Sequence, residues 1–434
     1  MGNKVKIPRG ALRRRSAQSS DPFGEAVMRV VSSGNCSGCG GCTALSPRVS
    51  MKLSEQGWLR PTVSPINNET VDTSPISTEG VDSAALFHAT CPGVGTSAPL
   101  SGDAQSDTLF GQHLGVWVGH ATDAHIRHEG SSGGVLTALT TWLIETGQVN
   151  SVRGARSKQA DASRTVPVSI TTRDQALASA GSRYAPVSML DGFAVSDDDR
   201  AFVGKPCEAS ALRALRAQGV LPPSDNLILS FFCAGTPSQQ ATDRLTQLVA
   251  GQPATQVDSI RYRGRGWPGA FGVVDDEGYE SQMSYEESWG QHLGRDLQWR
   301  CKVCPDGVGE ASDIAVGDFW FGDQAGYPKF LDAPGRSVII ARTSRGLAAI
   351  RSAAAEGVIL VETMDLAALA KVQPLQVERR SALAGRLAGR LLSGKRIPKY
   401  HGYSLLTLAL RNPLATLRAA FGTWLRSVRG AGRE

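Results

Sequence analysis

The sequence predicts an α/β protein with a mixed, largely parallel sheet as its core, a loop-rich segment before the sheet and a helical tail after it. From about Val116, short runs of branched apolar residues alternate with roughly 10–15-residue stretches that have helical periodicity and end at glycine. Such alternation is typical of strand–helix–strand units. The 434 residues are 41% apolar and 20% charged, which suits two or three globular domains.

The predicted elements follow one another from Val116 onward. Strands are expected in VWVGHA, SVRGAR, DRAFVG, NLILSFF, DIAVGDFWF and RSVIIAR. Helices are expected in SGGVLTALTTWLIETG, EASALRALRAQG, PSQQATDRLTQLVAG and GLAAIRSAAAEG. The chain then divides into a disordered basic leader (1–22), a cysteine-bearing loop-rich segment (23–110), an α/β domain (111–345) and a helical C-terminal region (346–434).

The net charge of +6 is unevenly distributed. Residues 1–20 carry six Lys or Arg and no acid, residues 379–434 carry twelve against Glu434 alone, and the middle of the chain has a net charge of −11. Nucleic-acid-binding proteins carry positive charge on a structured face, so no nucleic-acid partner is predicted. No apolar run of about 18 residues and no signal peptide is recognised. The predicted location is the cytoplasm, where clustered cysteines indicate metal or redox sites.

The stretch GNCSGCGGCTALSP spaces three cysteines evenly, at Cys36, Cys39 and Cys42. Its glycines allow the backbone to wrap closely around an inorganic core. The spacing matches the ferredoxin run C-x2-C-x2-C-x3-C-P at three cysteines and at the proline, but Ser46 stands where the fourth cysteine belongs. Zinc sites usually use two pairs of ligands instead. The pattern therefore indicates an iron–sulfur cluster in a ferredoxin-like segment.

The fourth ligand of this cluster has three alternatives. Cys91, in ATCPGVG, is also followed by proline and ends the same segment, and we favour it. A serine alkoxide at Ser46 is a poorer iron ligand. A three-cysteine site completed by water or a partner molecule is the third alternative.

The other four cysteines lie in the α/β domain. Cys207 and Cys233 each follow a predicted strand, where ligands bind in doubly wound sheets, and a helix start after each favours the thiolate. Cys301 and Cys304 form a C-x2-C pair followed by proline. The eight cysteines thus divide into two groups of four and predict a second cluster.

A glycine- and serine-rich loop precedes the helix predicted in VLTAL; it consists of Gly130, Ser131, Ser132, Gly133 and Gly134. Free N–H groups at a helix start suit a pyrophosphate, although neither a Walker loop nor G-x-G-x-x-G is present. Two glycines before a helix also occur for close packing alone. Beside a redox cluster, the loop favours a flavin dinucleotide. Arg261, Arg263 and Arg265 alternate on a predicted strand and therefore share one face. This face forms either a basic wall for such a cofactor or an exposed charged edge.

Eight motifs follow one another over roughly residues 30–345. They are the cysteine triplet, CPG, GSSGGVLTAL, GSRYAP, VGKPCEASALRAL, FFCAGTPS, RYRGRGWPG and CKVCPDGVGEASDIAVGDFW. Their order resembles the coenzyme F-420 hydrogenase/dehydrogenase beta subunit family. The resemblance implies FAD held by an α/β fold together with one or two [4Fe-4S] clusters.

By motif, the resemblance implies that the loop at 130–134 contacts FAD together with Ser182, Arg183 and Tyr184. It implies that the second group of four cysteines holds the cluster nearest the flavin, and that Lys205 reaches the flavin or its phosphates. Ser46 departs from the family's usual first-cluster pattern. No catalytic residue is assigned.

The function implied is that of an oxidoreductase joining one-electron cluster chemistry to two-electron flavin chemistry. Its substrate would be coenzyme F-420 or another small organic molecule, and its electron partner a ferredoxin or a redox partner subunit. The alternative is a non-redox accessory protein stabilised by zinc or a cluster, for example in polysaccharide biosynthesis.

The C-terminal stretch from His401 combines Leu, Phe and Trp with Arg near helical spacing, and Pro413 divides it into two short helices. A basic amphipathic segment lies on anionic lipid, docks on a partner's acidic surface or packs on its own domain. The first alternative makes the protein peripheral at the inner face of the membrane.

Overall fold

The computed structural model describes residues 21–65, 82–99, 104–193, 200–320, 322 and 333–430. All but the last two residues of the predicted leader lie outside this part of the chain. The strands are β1 Val49–Leu53, β2 Leu59–Val63, β3 Gly95–Ser97, β4 Gln105–Asp107, β5 Gly111–His113, β6 Gly115–Ala121, β7 Ser151–Lys158, β8 Asp161–Ile170, β9 Arg200–Gly204, β10 Ile228–Phe231, β11 Val257–Arg261, β12 Ala270–Asp275, β13 Glu280–Ser284, β14 Ile314–Phe319, β15 Arg336–Ala341, β16 Ile359–Thr363 and β17 Lys399–His401.

The helices alternate with these strands and then dominate the C-terminal part. They are α1 Pro22–Ser32, α2 Ser83–Thr90, α3 Ala124–Glu129, α4 Val135–Glu145, α5 Arg173–Ala178, α6 Pro206–Ala217, α7 Gln239–Ala250, α8 Tyr285–Glu287, α9 Trp299–Lys302, α10 Ser344–Ala355, α11 Leu366–Val372, α12 Pro374–Ser381, α13 Leu383–Leu392, α14 Leu405–Arg411 and α15 Pro413–Val428.

An eight-stranded sheet in the order β16-β6-β15-β14-β10-β9-β7-β8 forms the core. Strands β6, β14, β10, β9 and β7 run in one direction, and β15, β16 and β8 run against them. The predicted mixed α/β fold is confirmed. Antiparallel pairings nevertheless outnumber parallel ones in this sheet, because β15 separates β6 from β14. The sheet also extends past the predicted boundary at residue 345, since β16 pairs with β6.

Alternating residues of the central strands supply the cores on the two faces of the sheet. On one face, Leu229 and Ile339 are buried in the same apolar cluster as residues of α4 and α10. On the other, Ile228 lies in a cluster with α6 and the N-terminal segment, and Ile340 lies in a cluster with α11. Successive side chains of one strand therefore point into different cores.

Two smaller units flank the sheet. The strands β11, β12 and β13 form an antiparallel sheet whose core includes Leu245 of α7, Phe271 and Ala162 of β8. The N-terminal segment packs through α1 and α2 in one core with Leu212 and Leu215 of α6. Helix α6 thus contributes to the core of the sheet and to that of the cysteine-bearing segment.

Helices α13 and α15 pack closely because two glycines of α13 face the backbone of α15. A Cβ on Gly385 would lie 2.2 Å from the carbonyl oxygen of Thr416, and one on Gly389 would lie 2.1 Å from that of Ala420. Both glycines are buried. Any larger residue at these positions would force the two helices apart.

We predict that Gly389→Ala destabilises the α13–α15 pair, whereas Gly422→Ala does not. In a helix interior, alanine is more stabilising than glycine by about 1 kcal/mol. At position 389, the overlap of the new Cβ with the backbone of α15 outweighs this stabilisation by about 1–3 kcal/mol. At Gly422 the new Cβ meets only the flexible side chain of Arg426, at 3.4 Å. Hydrogen exchange of the α15 amides measures the difference, and equal protection in both variants would contradict it.

Candidate functional site

The cysteine triplet and Cys91 line one cavity beneath α1 and α2. The cavity has about 440 Å³ of empty space, part of it open to solvent, and its wall includes Cys36, Cys39, Cys42 and Cys91. The loop can turn around it because Gly40 adopts φ +86°, where a Cβ would lie 2.5 Å from the amide nitrogen of Asp191. The structure thus brings together the four thiols of the N-terminal segment.

The ionisation of these thiols reflects their burial and their closeness. Burial is the main cause that raises the pKa of the Cys39 thiol to about 11, and the neighbouring Cys36 raises it as well. Burial and the thiols of Cys39 and Cys36 raise the pKa of Cys91 further. The pKa of Cys42 is raised for the same reasons. A bound cation would reverse this effect by favouring the thiolates.

Ser46 does not line this cavity. Its Oγ accepts a hydrogen bond from the backbone N–H of Arg48 at 3.3 Å, in the turn that leads into β1. Of the three alternatives for the fourth ligand, Cys91 is the one whose side chain the fold places beside the triplet.

The other four cysteines converge at the carboxyl edge of the large sheet. Cys207 is in the first turn of α6 after β9, Cys233 follows β10, and Cys301 and Cys304 lie in and after α9. Burial raises the pKa of Cys233 to about 12, with Cys301 contributing. Burial also raises the pKa of Cys207, and Cys304 and Cys233 add to the effect.

Hydrogen-bond donors already face one of these sulfurs. The Sγ of Cys301 accepts from the backbone N–H of Thr236 at 3.3 Å and from Nε2 of Gln298 at 3.4 Å. Donors to sulfur are typical around iron–sulfur clusters, whose potentials they raise. The sequence analysis did not identify Gln298, because a single buried glutamine belongs to no recognisable sequence pattern.

Gln298 also connects the two groups of cysteines. Its Nε2 lies 3.3 Å from the carbonyl oxygen of Ser37, which is the residue after Cys36. Arg300 makes a second connection, because its Nη2 donates to the carbonyl oxygen of Pro92 at 3.0 Å, directly after Cys91. The two candidate sites are therefore neighbours separated by a few buried side chains.

Two arginines that the sequence analysis did not identify lie beside the second group. Arg300 is 2% exposed, and its Nε and Nη1 have no hydrogen-bond partner in the described structure. Arg379 donates to the carbonyl oxygen of Cys233 at 2.6 Å and borders a cavity of about 210 Å³ together with Cys304. Neither arginine forms an ion pair with a carboxylate among the described residues.

These guanidinium groups respond to the nearby sulfurs. Burial by itself would lower the pKa of Arg300. The nearby Tyr400 and Cys304 side chains have the opposite effect, and the pKa is above its ordinary value. For Arg379, burial again lowers the pKa, and Cys304 and Cys233 more than offset this. Positive charge is thus concentrated where thiolates would carry negative charge.

Among the described residues, no three His, Cys, Asp or Glu side chains converge on a position for one metal ion. A four-iron cluster takes one thiolate at each iron, so its ligands surround a volume and do not meet at a point. The four thiols around the N-terminal cavity fit that requirement. The second group of thiols has buried cations and hydrogen-bond donors beside it.

The predicted flavin residues lie where three loops meet. Ser182 Oγ donates to Ser131 Oγ at 2.9 Å, and the N–H of Gly266 donates to the carbonyl oxygen of His128 at 2.9 Å. Gly181 adopts φ +84°, and a Cβ there would lie 2.5 Å from the carbonyl oxygen of Arg263. The structure therefore brings together the loop at 130–134, the Ser182 loop and the loop around Arg263.

The loop at 130–134 is anchored to β15. Ser132 Oγ donates to the carbonyl oxygen of Arg336 at 2.6 Å, and the N–H of Gly133 donates to Ser337 Oγ at 2.9 Å. A Cβ on Gly133 would lie 2.8 Å from the carbonyl oxygen of Gly119. Close packing alone thus explains this glycine, as the alternative in the sequence analysis proposed.

The start of α4 retains a positive environment. Gly134, its N-cap, has no side chain that accepts from the first turn. Burial and the nearby Arg336 lower the pKa of Arg127, whose Nε donates to the carbonyl oxygen of Gly335. A helix start without a side-chain cap, beside two arginines, is a favourable position for a phosphate.

The prediction that Arg263 and Arg265 share one face of a strand is wrong, because β11 ends at Arg261 and both residues lie in the loop that follows. Their environments differ. Arg263 is 2% exposed, pairs with Asp318 at 2.6 Å through Nη1 and stacks on Trp267 at 4.7 Å. Its Nη2 has no hydrogen-bond partner in the described structure. Arg265 is half exposed, with the carboxylates of Glu129 and Glu280 each 3.8 Å away.

Three further predicted residues have their side chains engaged in the protein. The guanidinium of Arg183 donates to Thr165 Oγ1 and to backbone oxygens of β8 and β11, a structural role that the sequence did not indicate. The ring of Tyr184 packs 4.7 Å from that of Trp289. Lys205 Nζ lies 2.6 Å from a carboxylate oxygen of the fully buried Glu208, beside Cys207.

Comparisons with known proteins agree with this architecture. Residues 116–193 match the N-terminal domain, and residues 197–366 the C-terminal domain, of coenzyme F420 (F-420) hydrogenase/dehydrogenase, beta subunit. The two matches together span more than half of the chain. The chain belongs to this family. The N-terminal group of cysteines and α12–α15 lie outside the matched residues.

A curated relative is the F420-dependent formate dehydrogenase 1 subunit beta of Methanococcus maripaludis, strain S2. It is 25% identical over 217 residues, which cover 49% of this chain and 54% of the relative. The match therefore spans about half the length of that relative.

A solved structure shows the shared fold. It is a chain of the F420-reducing [NiFe] hydrogenase complex from Methanosarcina barkeri, studied by xenon derivatization. The TM-score is 0.50 at 20% identity, covering 64% of this chain and 94% of the other.

Proposed function

We propose that this chain is an oxidoreductase subunit that holds FAD and two [4Fe-4S] clusters and relays electrons between the clusters and a two-electron partner. That partner is coenzyme F-420 or an organic substrate. The observation that carries the proposal is the gathering of eight cysteines into two neighbouring groups of four. Membership of the family supports a redox role that involves coenzyme F-420.

Clusters would supply single electrons and FAD would couple them to two-electron chemistry. Cys36, Cys39, Cys42 and Cys91 would hold one cluster, and Cys207, Cys233, Cys301 and Cys304 the other. The chain's own contribution is to shield these thiols partly from water and to place Gln298 and Arg300 between the two groups. Arg300 and Arg379 supply positive charge that offsets the negative charge of the thiolates.

The three meeting loops would hold FAD. Backbone N–H groups at the start of α4 would donate hydrogen bonds to the pyrophosphate, with Arg127 and Arg336 supplying charge. The Nη2 of Arg263 is a buried donor available to a polar atom of the cofactor. Lys205 stays paired with Glu208 and would act through its charge beside Cys207.

A redox partner subunit or a ferredoxin would exchange electrons with this chain. The relatives support a partner subunit, because the curated relative is itself named a beta subunit and the similar structure comes from a hydrogenase complex. The N-terminal cysteine cavity is part-open to solvent and would be the point of electron entry.

The test is metal, sulfide and flavin analysis of protein purified without oxygen, with absorption spectra before and after dithionite. About eight irons and one FAD per chain would support the proposal, because a [4Fe-4S] cluster takes four cysteines. Zinc without sulfide or flavin would overturn it in favour of a non-redox accessory protein.

We predict that Cys91→Ser halves the iron and sulfide content. It removes one thiol of the N-terminal group and leaves the second group complete. Ser46→Ala is the matched control and should keep full iron, because Ser46 is outside the cavity. Full iron in Cys91→Ser, or loss of iron in Ser46→Ala, would show that the fourth ligand is assigned wrongly.

We predict that Gly181→Ala loses flavin but retains iron. The added Cβ would overlap the carbonyl oxygen of Arg263 and separate two of the three loops. Gly192→Ala is the control, because Gly192 also has a positive φ, of +65°, but nothing lies within 4 Å of its Cβ position. Flavin and iron per chain are the readouts. Unchanged flavin in Gly181→Ala would contradict the proposed cofactor position.

We predict that Arg379→Gln makes the midpoint potential of one cluster more negative and leaves the other unchanged. A cation near a cluster stabilises the reduced form, whose negative charge is larger. An EPR-monitored redox titration separates the two clusters. Equal shifts of both, or none, would contradict the position assigned to Arg379.

A further inference from the structure

Helices α13–α15 expose an unusual amount of apolar side chain. The described residues include fourteen large apolar side chains that are exposed, and eight of them lie between positions 391 and 428. They are Leu391, Leu392, Leu406, Leu410, Leu414, Leu417, Phe421 and Val428, each 59–74% exposed. Scattered exposed apolar residues are normal, but a concentrated patch marks an interaction site.

The patch on α15 occupies a face of its own. Leu414, Leu417, Phe421 and Val428 recur at helical spacing and share one side of the helix. The residues that meet the glycines of α13, among them Thr416 and Ala420, belong to another side of the helix. Among the described residues, α13 therefore covers one side of α15, and the side with the larger apolar residues stays exposed.

The charged residues of α13–α15 and of the loops between these helices are all basic. Arg411, Arg418 and Arg429 are exposed on α14 and α15 or at their ends, as are Lys395 and Arg396 in the preceding loop. From residue 379 up to Glu434 the sequence has no acid at all. The occupant must therefore present negative charge and accept apolar side chains over the same area.

We propose that α13–α15 form a docking surface for an anionic lipid bilayer. Leu, Phe and Val side chains would enter the boundary between headgroups and acyl chains, while the arginines contact lipid phosphates. Within the described residues, no helix is long and apolar enough to cross a membrane, so the helices would lie in the plane of the interface. Interfacial helices combine Leu, Phe and Trp with Arg or Lys in this way.

The position of this surface links it to the redox centre. Arg386 of α13 donates to the carbonyl oxygen of Lys302 at 3.1 Å, one residue after Cys301. Docking would therefore hold the second group of cysteines near the bilayer. The docking surface itself does not depend on the proposed function, since it is built from side chains that bind no cofactor.

The experiment is co-sedimentation of the full-length protein with vesicles of phosphatidylcholine alone or mixed with phosphatidylglycerol. We expect binding to the mixed vesicles that weakens with salt, and little to phosphatidylcholine alone. Leu417→Ser with Phe421→Ser should abolish it. Arg418→Glu should weaken it at least about fivefold, because each basic residue near an anionic surface contributes about 1 kcal/mol.

Leu248→Ser is the control, because Leu248 is 58% exposed on α7, outside the patch. Circular dichroism should show that all variants are folded. Equal binding by the double variant, or no preference for anionic vesicles, would overturn the proposal. A dimer in gel filtration that the double variant dissolves, without lipid binding, would also overturn it and assign the surface to a second copy of the chain.

Discussion

Buried positive charge beside clustered thiols is the constraint on which the centre of this protein depends. Arg300 and Arg379 approach the sulfur atoms of the second cysteine group and have no carboxylate partner among the described residues. A buried guanidinium without a counter-charge is costly, and thiolates that hold a cluster would remove that cost. The free energy of folding and the loading of the site are then coupled, as in other proteins whose ligands must be deprotonated.

The large sheet makes this arrangement possible through strand direction. Strands β9, β10 and β14 are parallel neighbours, so Cys207, Cys233 and Asp318 end up at one edge of the sheet. Strand β15 runs the other way and brings Ser337 to that same edge, where it anchors the loop at 130–134. The second group of thiols and the loop proposed to hold flavin thus lie at the same edge of the sheet, although they come from different segments of the sequence.

The C-terminal helices contribute to the site although they lie beyond the residues that match the family. Arg379 of α12 contacts Cys233, and Tyr400 lies 5.6 Å from the guanidinium of Arg300. The same region carries the exposed apolar surface. One segment therefore borders the second group of cysteines on its inner side and carries the proposed docking surface on its outer side.

The sequence by itself determined the mixed α/β class, the order of most helices and strands, and the division of the cysteines into triplet, single residues and C-x2-C pair, because these depend on local periodicity and spacing. Only the tertiary structure decided that Cys91 and not Ser46 lies beside the triplet, that Arg183 ties β8 to β11, and that Gln298, Arg300 and Arg379 surround the sulfurs. Residues like these carry no periodic signal, and their roles arise when segments up to hundreds of residues apart are brought into contact. The strand order could not be predicted from the sequence either, because packing between strands that are distant in sequence determines that β15 lies between β6 and β14.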